Sequence, residues 1–214
     1  MDILIPILGI AGFALAIIVH EVAHGLVAEK LGDPTARLMK RLTLNPIPHI
    51  DPIGSIILPL TLLLLRSPFL FGWAKPVPVD PYNLQHPRKD MALISLAGPL
   101  TNIAFAVILS IFLRIFLVVF PGAGISTVFF YLIQFNVVLA VFNLIPINPL
   151  DGGKILTGIL PEEKARAFNN FLDRFGMILI LILIFPSFGG RSLAAIITGP
   201  IINFFLEILI PGFS

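Results

Sequence analysis

The strongest constraint on this chain is the spacing of its apolar runs. They fall at about residues 3–28, 53–72, 91–120, 127–149, 175–189 and 193–211. A helix needs about 20 apolar residues to cross a hydrocarbon core of about 30 Å. The chain is 57% hydrophobic and 12% charged, with a mean hydropathy of +1.00. A soluble domain carries roughly twice that charge, about 25%. Lipid offers backbone groups no water to bond, so a chain patterned this way closes its hydrogen bonds within helices. The expected fold is an all-α membrane protein, a polytopic helical bundle.

The first, third and fourth runs read as spanning helices. The second is interrupted by Pro59 and ends in SPFLFGWAKPVPVDPYN, rich in proline and aromatic residues. The fifth and sixth are short, separated by PSFGGR, and read as a final hairpin. There is no internal repeat or low-complexity tract, so residues 1–214 read as one membrane-embedded domain. The opening MDILIPILGI lacks the basic stretch of a signal peptide, and the first run is expected to stay as a membrane helix.

Charge narrows the classes further. The net charge of +2 makes nucleic acid an unnatural partner, and the absence of cysteine excludes disulfides, thiolate metal sites and cysteine nucleophiles. The cations gather in three connecting segments. Residues 29–52 hold Lys30, Arg37, Lys40 and Arg41; residues 73–90 hold Lys75, Arg88 and Lys89; residues 150–174 hold Lys154, Lys164, Arg166 and Arg174. The 120–126 connection holds none. Basic loops stay cytoplasmic, so the three segments share the inner face. That arrangement requires residues 53–72 to enter and leave from one side, as a re-entrant or hairpin element. Non-helical backbone at that depth is permitted where protein buries it or it lines a wet cavity.

The first run carries HEVAH in its middle, within AIIVHEVAHGLV at residues 16–27. His20 and His24 are four apart, one turn above the other on one helix face. Two imidazoles so placed can reach one zinc ion. Glu21 lies about 100° round the helix, where it can take a proton from the attacking water. Ionisable groups inside a span cost roughly 2.5–3.5 kcal/mol each on insertion scales and mark function. Metal coordination relieves that cost, because the imidazoles then bind as neutral ligands.

Zinc needs a third protein ligand and keeps one position open for chemistry. The candidates near apolar segments are Asp151, Glu207, His49 and His86. Asp151 is favoured: it closes the long fourth run in FNLIPINPLDGGK, and Gly152 and Gly153 permit a sharp turn and close approach. Its ordinary alternative is a turn or N-cap aspartate before KILTGIL. His20, His24 and Asp151 meet at one depth only if the first and fourth helices run the same way, as the loop charges imply. His49 reads as structural or interfacial, and Glu207 and Arg114 read as side chains snorkelling toward the surface.

HEVAH on the first helix and NLIPINPLDGG after a later one resemble the site-2 protease family of intramembrane zinc metalloproteases. AGPLTN, with Gly98 and Asn102, resembles the family's G-x-x-x-N pattern on the middle core helix. LNPIPHIDPIGS and FGWAKPVPVDP resemble connecting segments of its compact prokaryotic members. The resemblance runs from about residue 10 to 155. It implies a three-helix catalytic core over about residues 3–155, with accessory membrane helices at about 175–211. It also implies one zinc per chain on His20, His24 and Asp151, with Glu21 as the catalytic base. Asn102 and Asn143 would assist the substrate or the oxyanion, the alternative for both being ordinary interhelical hydrogen bonding. The substrate would be a transmembrane protein or peptide, cut in a cell membrane with the active site toward the cytoplasm. No PDZ or nucleotide-sensing domain of the kind some members carry is recognisable. The Pro- and Gly-rich 45–82 region is a candidate edge for pairing with an unwound substrate. A zinc transporter would instead spread ligands along a path over several helices, often with internal repeats.

Overall fold

The computed structural model describes residues 4–65, 72–120, 126–188 and 191–212. Helix α1 spans Leu4–Lys30, α2 Thr35–Leu38, and α3 Pro52–Leu64, opening with the π-helical turn Pro52–Ile57. Helix α4 spans Pro87–Val119, α5 Ser126–Asn143, α6 Asp151–Ile159, α7 Glu162–Ile184 and α8 Leu193–Leu209. A short antiparallel pair, β1 (Pro186–Phe188) and β2 (Arg191–Ser192), joins α7 to α8. Helices α1, α4, α5 and α7 are long and apolar enough to cross a membrane.

The core is α1, α4 and α5. Gly12 faces Leu132, and Ala16 shares the Asn102 side chain with Asn136, so numbering rises together along α1 and α5. These two helices therefore run parallel, as the loop charges required. Helix α4 lies antiparallel to α1: His20 meets Asn102 while His24 meets Ile94. Outward of these contacts, Ala106, Leu113, Ile133, Val137 and Leu206 form a buried apolar cluster where α4, α5 and α8 meet. The exposed Arg114 donates from Nη2 to the Ile208 carbonyl at 2.8 Å, and Ser110 donates to that of Leu209. The C-terminus of α8 thus sits beside the later part of α4, satisfying carbonyls that the helix end leaves free.

Residues 52–73 return to where they start. The Trp73 N–H donates to the Gly54 carbonyl at 3.1 Å, the Ser55 hydroxyl to the Trp73 carbonyl at 2.8 Å, and the Lys75 N–H to the His49 carbonyl at 2.9 Å. At about 1.5 Å per residue, α3 reaches only about 20 Å, short of the hydrocarbon thickness. Asp51 holds its start by accepting from Ile53 and Gly54 N–H groups. The described residues on either side thus meet, as a re-entrant or hairpin element between the first two core helices requires. The tip, residues 66–71, lies outside the described residues.

The fourth apolar run behaves differently from its sequence. Helix α5 stops at Asn143, because Pro146 and Pro149 lack an N–H and disfavour helical backbone before them. Asp151 is therefore not the end of that helix but the first residue of α6, after a tight Leu144–Leu150 turn. The C-terminal region also does more than add membrane helices. A Cβ at Gly176 of α7 would lie 2.5 Å from the Asn148 carbonyl oxygen, and the Thr157 hydroxyl donates to Asn169 Oδ1 at 2.9 Å. Helix α7 thus braces the turn that delivers Asp151.

Candidate metal centre

On α1, the four-residue spacing stacks the two imidazoles, with ring centroids 4.6 Å apart and planes at 87°. Both are buried. His20 Nδ1 lies 2.6 Å from Asn102 Oδ1, and His24 Nδ1 lies 2.6 Å from the Ile94 carbonyl oxygen. Both partners only accept, so each Nδ1 carries the proton and each Nε2 presents a lone pair. The amide orientation of Asn102 follows from its other contacts: its Nδ2 donates to Ala16 O at 3.1 Å and to Asn136 Oδ1 at 2.9 Å.

The two Nε2 atoms are 3.0 Å apart, and Asp151 Oδ2 sits 3.1 Å from one and 3.3 Å from the other. With both hydrogens on Nδ1, none of these three atoms carries a proton to share. Asp151 Oδ2 is buried without a hydrogen-bond donor. Three converging acceptors repel one another unless a cation sits among them. Tetrahedral zinc with ligand bonds of about 2.0–2.2 Å would separate its ligands by about 3.3–3.6 Å. The observed triangle is close to that size, and two nitrogens with one oxygen suit the ion. The residues present fit zinc.

Close approach makes the triangle possible. A Cβ at Gly98 of α4 would lie 2.6 Å from His20 Cε1 and from Cε1 and Nε2 of His24. A Cβ at Gly152 would run into the carbonyls of Leu144 and Ile145, and one at Gly153 would lie 2.9 Å from Asn148 N. These are positions where only glycine lets backbone and ring meet.

Glu21 is half-buried, and its Oε2 accepts from the Val77 N–H at 2.7 Å. Asn102 is fully buried, with both amide hydrogens and its oxygen committed to protein partners. It has no donor left for an oxyanion, so the geometry gives it a different task from the expected one: orienting His20. Asn143 donates to the Leu139 carbonyl of its own helix at 2.9 Å. His49 is buried away from the cluster, with Nε2 on the Thr43 carbonyl at 2.9 Å. Asn136 was not singled out from sequence, although one asparagine inside an apolar run is the available signal. It is fully buried and donates to the Leu132 carbonyl at 2.8 Å, which turns its Oδ1 toward Asn102.

Together these features define a membrane-spanning helical protein with a buried group of two histidines and one aspartate that could hold a metal ion. Comparison with known proteins gives the family. Residues 118–183 match the model of Peptidase family M50. The chain is similar to YwhC of Bacillus subtilis, 38% identical over 185 residues covering 81% of this chain and 78% of the relative. It is also similar to Rip2 of Mycolicibacterium smegmatis, 32% identical over 187 residues covering 85% and 68%. The names of both assign them, by inference, to the zinc metalloproteases. No solved structure gives a significant match. The chain belongs to peptidase family M50, the site-2 protease family, and is a multi-pass membrane zinc metalloprotease.

Proposed function

We propose that this protein is an endopeptidase that hydrolyses a peptide bond in or near a transmembrane segment of its substrate. His20, His24 and Asp151 hold the zinc, and Glu21 is the catalytic base. The observation that carries this reading is the convergence of buried Asp151, at the start of α6, with two buried imidazoles of the membrane-spanning α1, where a carboxylate follows His20 by one residue. Zinc bound there supplies Lewis-acid stabilisation of the developing oxyanion and an acidified water.

The remaining work falls to the chain. Asn102 and Ile94 hold the imidazoles by their Nδ1–H groups, keeping both Nε2 lone pairs on the centre. Glu21 accepts a proton from the attacking water and returns it to the leaving amine. The substrate helix must unwind locally, since its carbonyls are otherwise tied up in its own ladder. Both histidines lie in the half of α1 that ends at Lys30, beside the basic segments. The positive-inside bias then puts the cleft on the cytoplasmic side of a cell membrane.

The test is cleavage of a model single-span protein by purified enzyme in lipid vesicles, wild type against Glu21→Gln. The expected outcome is cleavage by the wild type alone, with zinc bound to both. Equal cleavage by both would reject Glu21 as the base.

A further inference from the structure

Glu21 does not hang free: a backbone strap crosses α1 at this residue. The segment from Trp73 to Val77 directs alternate N–H groups into the protein. Those of Trp73 and Lys75 go to the Gly54 and His49 carbonyls at 3.1 and 2.9 Å, and that of Val77 goes to Glu21 Oε2 at 2.7 Å. The neighbours of Val77 are Pro76 and Pro78, so within this tripeptide Val77 supplies the one N–H. That single donor is spent on the carboxylate next to the metal ligands.

The strap is anchored on both sides of Val77. Buried Arg41 donates from Nη2 to the Lys75 carbonyl at 2.8 Å, and Asp33, with no exposed surface, accepts from the Asp80 N–H at 2.8 Å. Gly25, one turn beyond Glu21, admits it: a Cβ there would lie 2.9 Å from Val77 Cγ1. The Val77 side chain is buried in that groove, at 7% exposure. Proline on both sides restricts the backbone before any partner forms, so little freedom remains to lose when the N–H meets its acceptor.

We propose that Val77 is a positioning residue: its N–H fixes Glu21 Oε2 and leaves Oε1 to exchange the proton of the attacking water. This rests on Glu21 being the base. It also assigns a purpose to the KPVPV stretch, which otherwise reads as an irregular connection. A carboxylate held by one charge-assisted bond keeps one rotamer, where a free glutamate would sample several.

Val77→Pro removes the N–H while keeping the extended backbone already imposed by Pro78. It should lower kcat about 10- to 100-fold, the usual cost of losing an outer partner, with KM and bound zinc unchanged. Val77→Ala, which restores the N–H, should recover most of that loss. A second measurement needs neither activity nor proline: amide exchange at Val77 in selectively labelled, metal-free protein. Its protection should be strong in the wild type and lost in Glu21→Ala. Wild-type kcat in Val77→Pro, alongside an inactive Glu21→Gln, would overturn the proposal. So would unchanged Val77 protection in Glu21→Ala. A fully active Glu21→Gln would reject the base assignment itself, and this inference with it.

Discussion

Replacing Gly98 by alanine tests the metal centre through a residue that binds nothing itself. The added methyl would sit 2.6 Å from His20 Cε1 and from Cε1 and Nε2 of His24. Carbon contacts relax at about 3.5 Å, so the rings or the helix must yield by about 0.9 Å. Metal–ligand distances tolerate only about 0.2 Å. If α4 recedes instead, it stretches the two 2.6 Å bonds that hold the imidazoles. Either route should weaken zinc binding about 10- to 100-fold, or about 1.4–2.7 kcal/mol. The assay is competition for zinc against a chromophoric chelator in detergent, with thermal unfolding of the metal-free protein recorded in parallel. Gly199→Ala is the matched control, because nothing lies within 4 Å of a Cβ there. It should leave the affinity unchanged and firm up α8 by up to about 1 kcal/mol. Wild-type zinc affinity in Gly98→Ala would refute the geometry of the centre.

Three further outcomes follow from the same structure. Asn102→Leu removes the acceptor for His20 Nδ1–H and should weaken zinc binding about 10- to 100-fold, while Asn102→Asp keeps that acceptor and should retain more affinity; chelator competition ranks the two. Burial alone would raise the Asp33 pKa, but bonds from the Thr35 hydroxyl and N–H, the Asn83 amide and the Asp80 N–H outweigh it and hold the carboxyl below its ordinary 3.8. A lowered folded-state pKa stabilises above the unfolded value and is lost as pH falls through the folded one. Thermal stability should therefore drop below about pH 4 in the wild type and change less in Asp33→Asn. Reporter fusions at residues 45 and 82 should land on the same membrane face, since the backbone pairs Lys75 with His49 and Trp73 with Gly54; opposite faces would reject the re-entrant element.

Much of this was legible in the chain because it depends on local pattern. Apolar run length defines a membrane helix whatever surrounds it, and four-residue spacing puts His20 above His24 on any helix. The pairing of Asp151 with them could be argued from the glycines after it and from loop charge, because both bear on where the backbone can go. The point where α5 ends was misread for a local reason too: Pro146 and Pro149 outweigh the apolar character of residues 144–150.

What needed the tertiary structure was every property set by the partner of a side chain. Sequence marks Asn102 as a polar group in a membrane helix, but only packing shows that Ala16 and Asn136 take both its amide hydrogens while its oxygen faces His20. It cannot show that Gly98 is a hole filled by two imidazoles, or that α7 braces the turn before Asp151 from the far side. The Val77 N–H is the extreme case, since a backbone donor carries no residue identity at all. Composition and apolar run length determined that this chain would fold in a membrane, and the HEVAH spacing put two imidazoles on one face of its first helix. Which atoms converge at the candidate centre, and which hold those atoms still, were decided by contacts between residues 56 to 131 positions apart, and no local pattern encodes those.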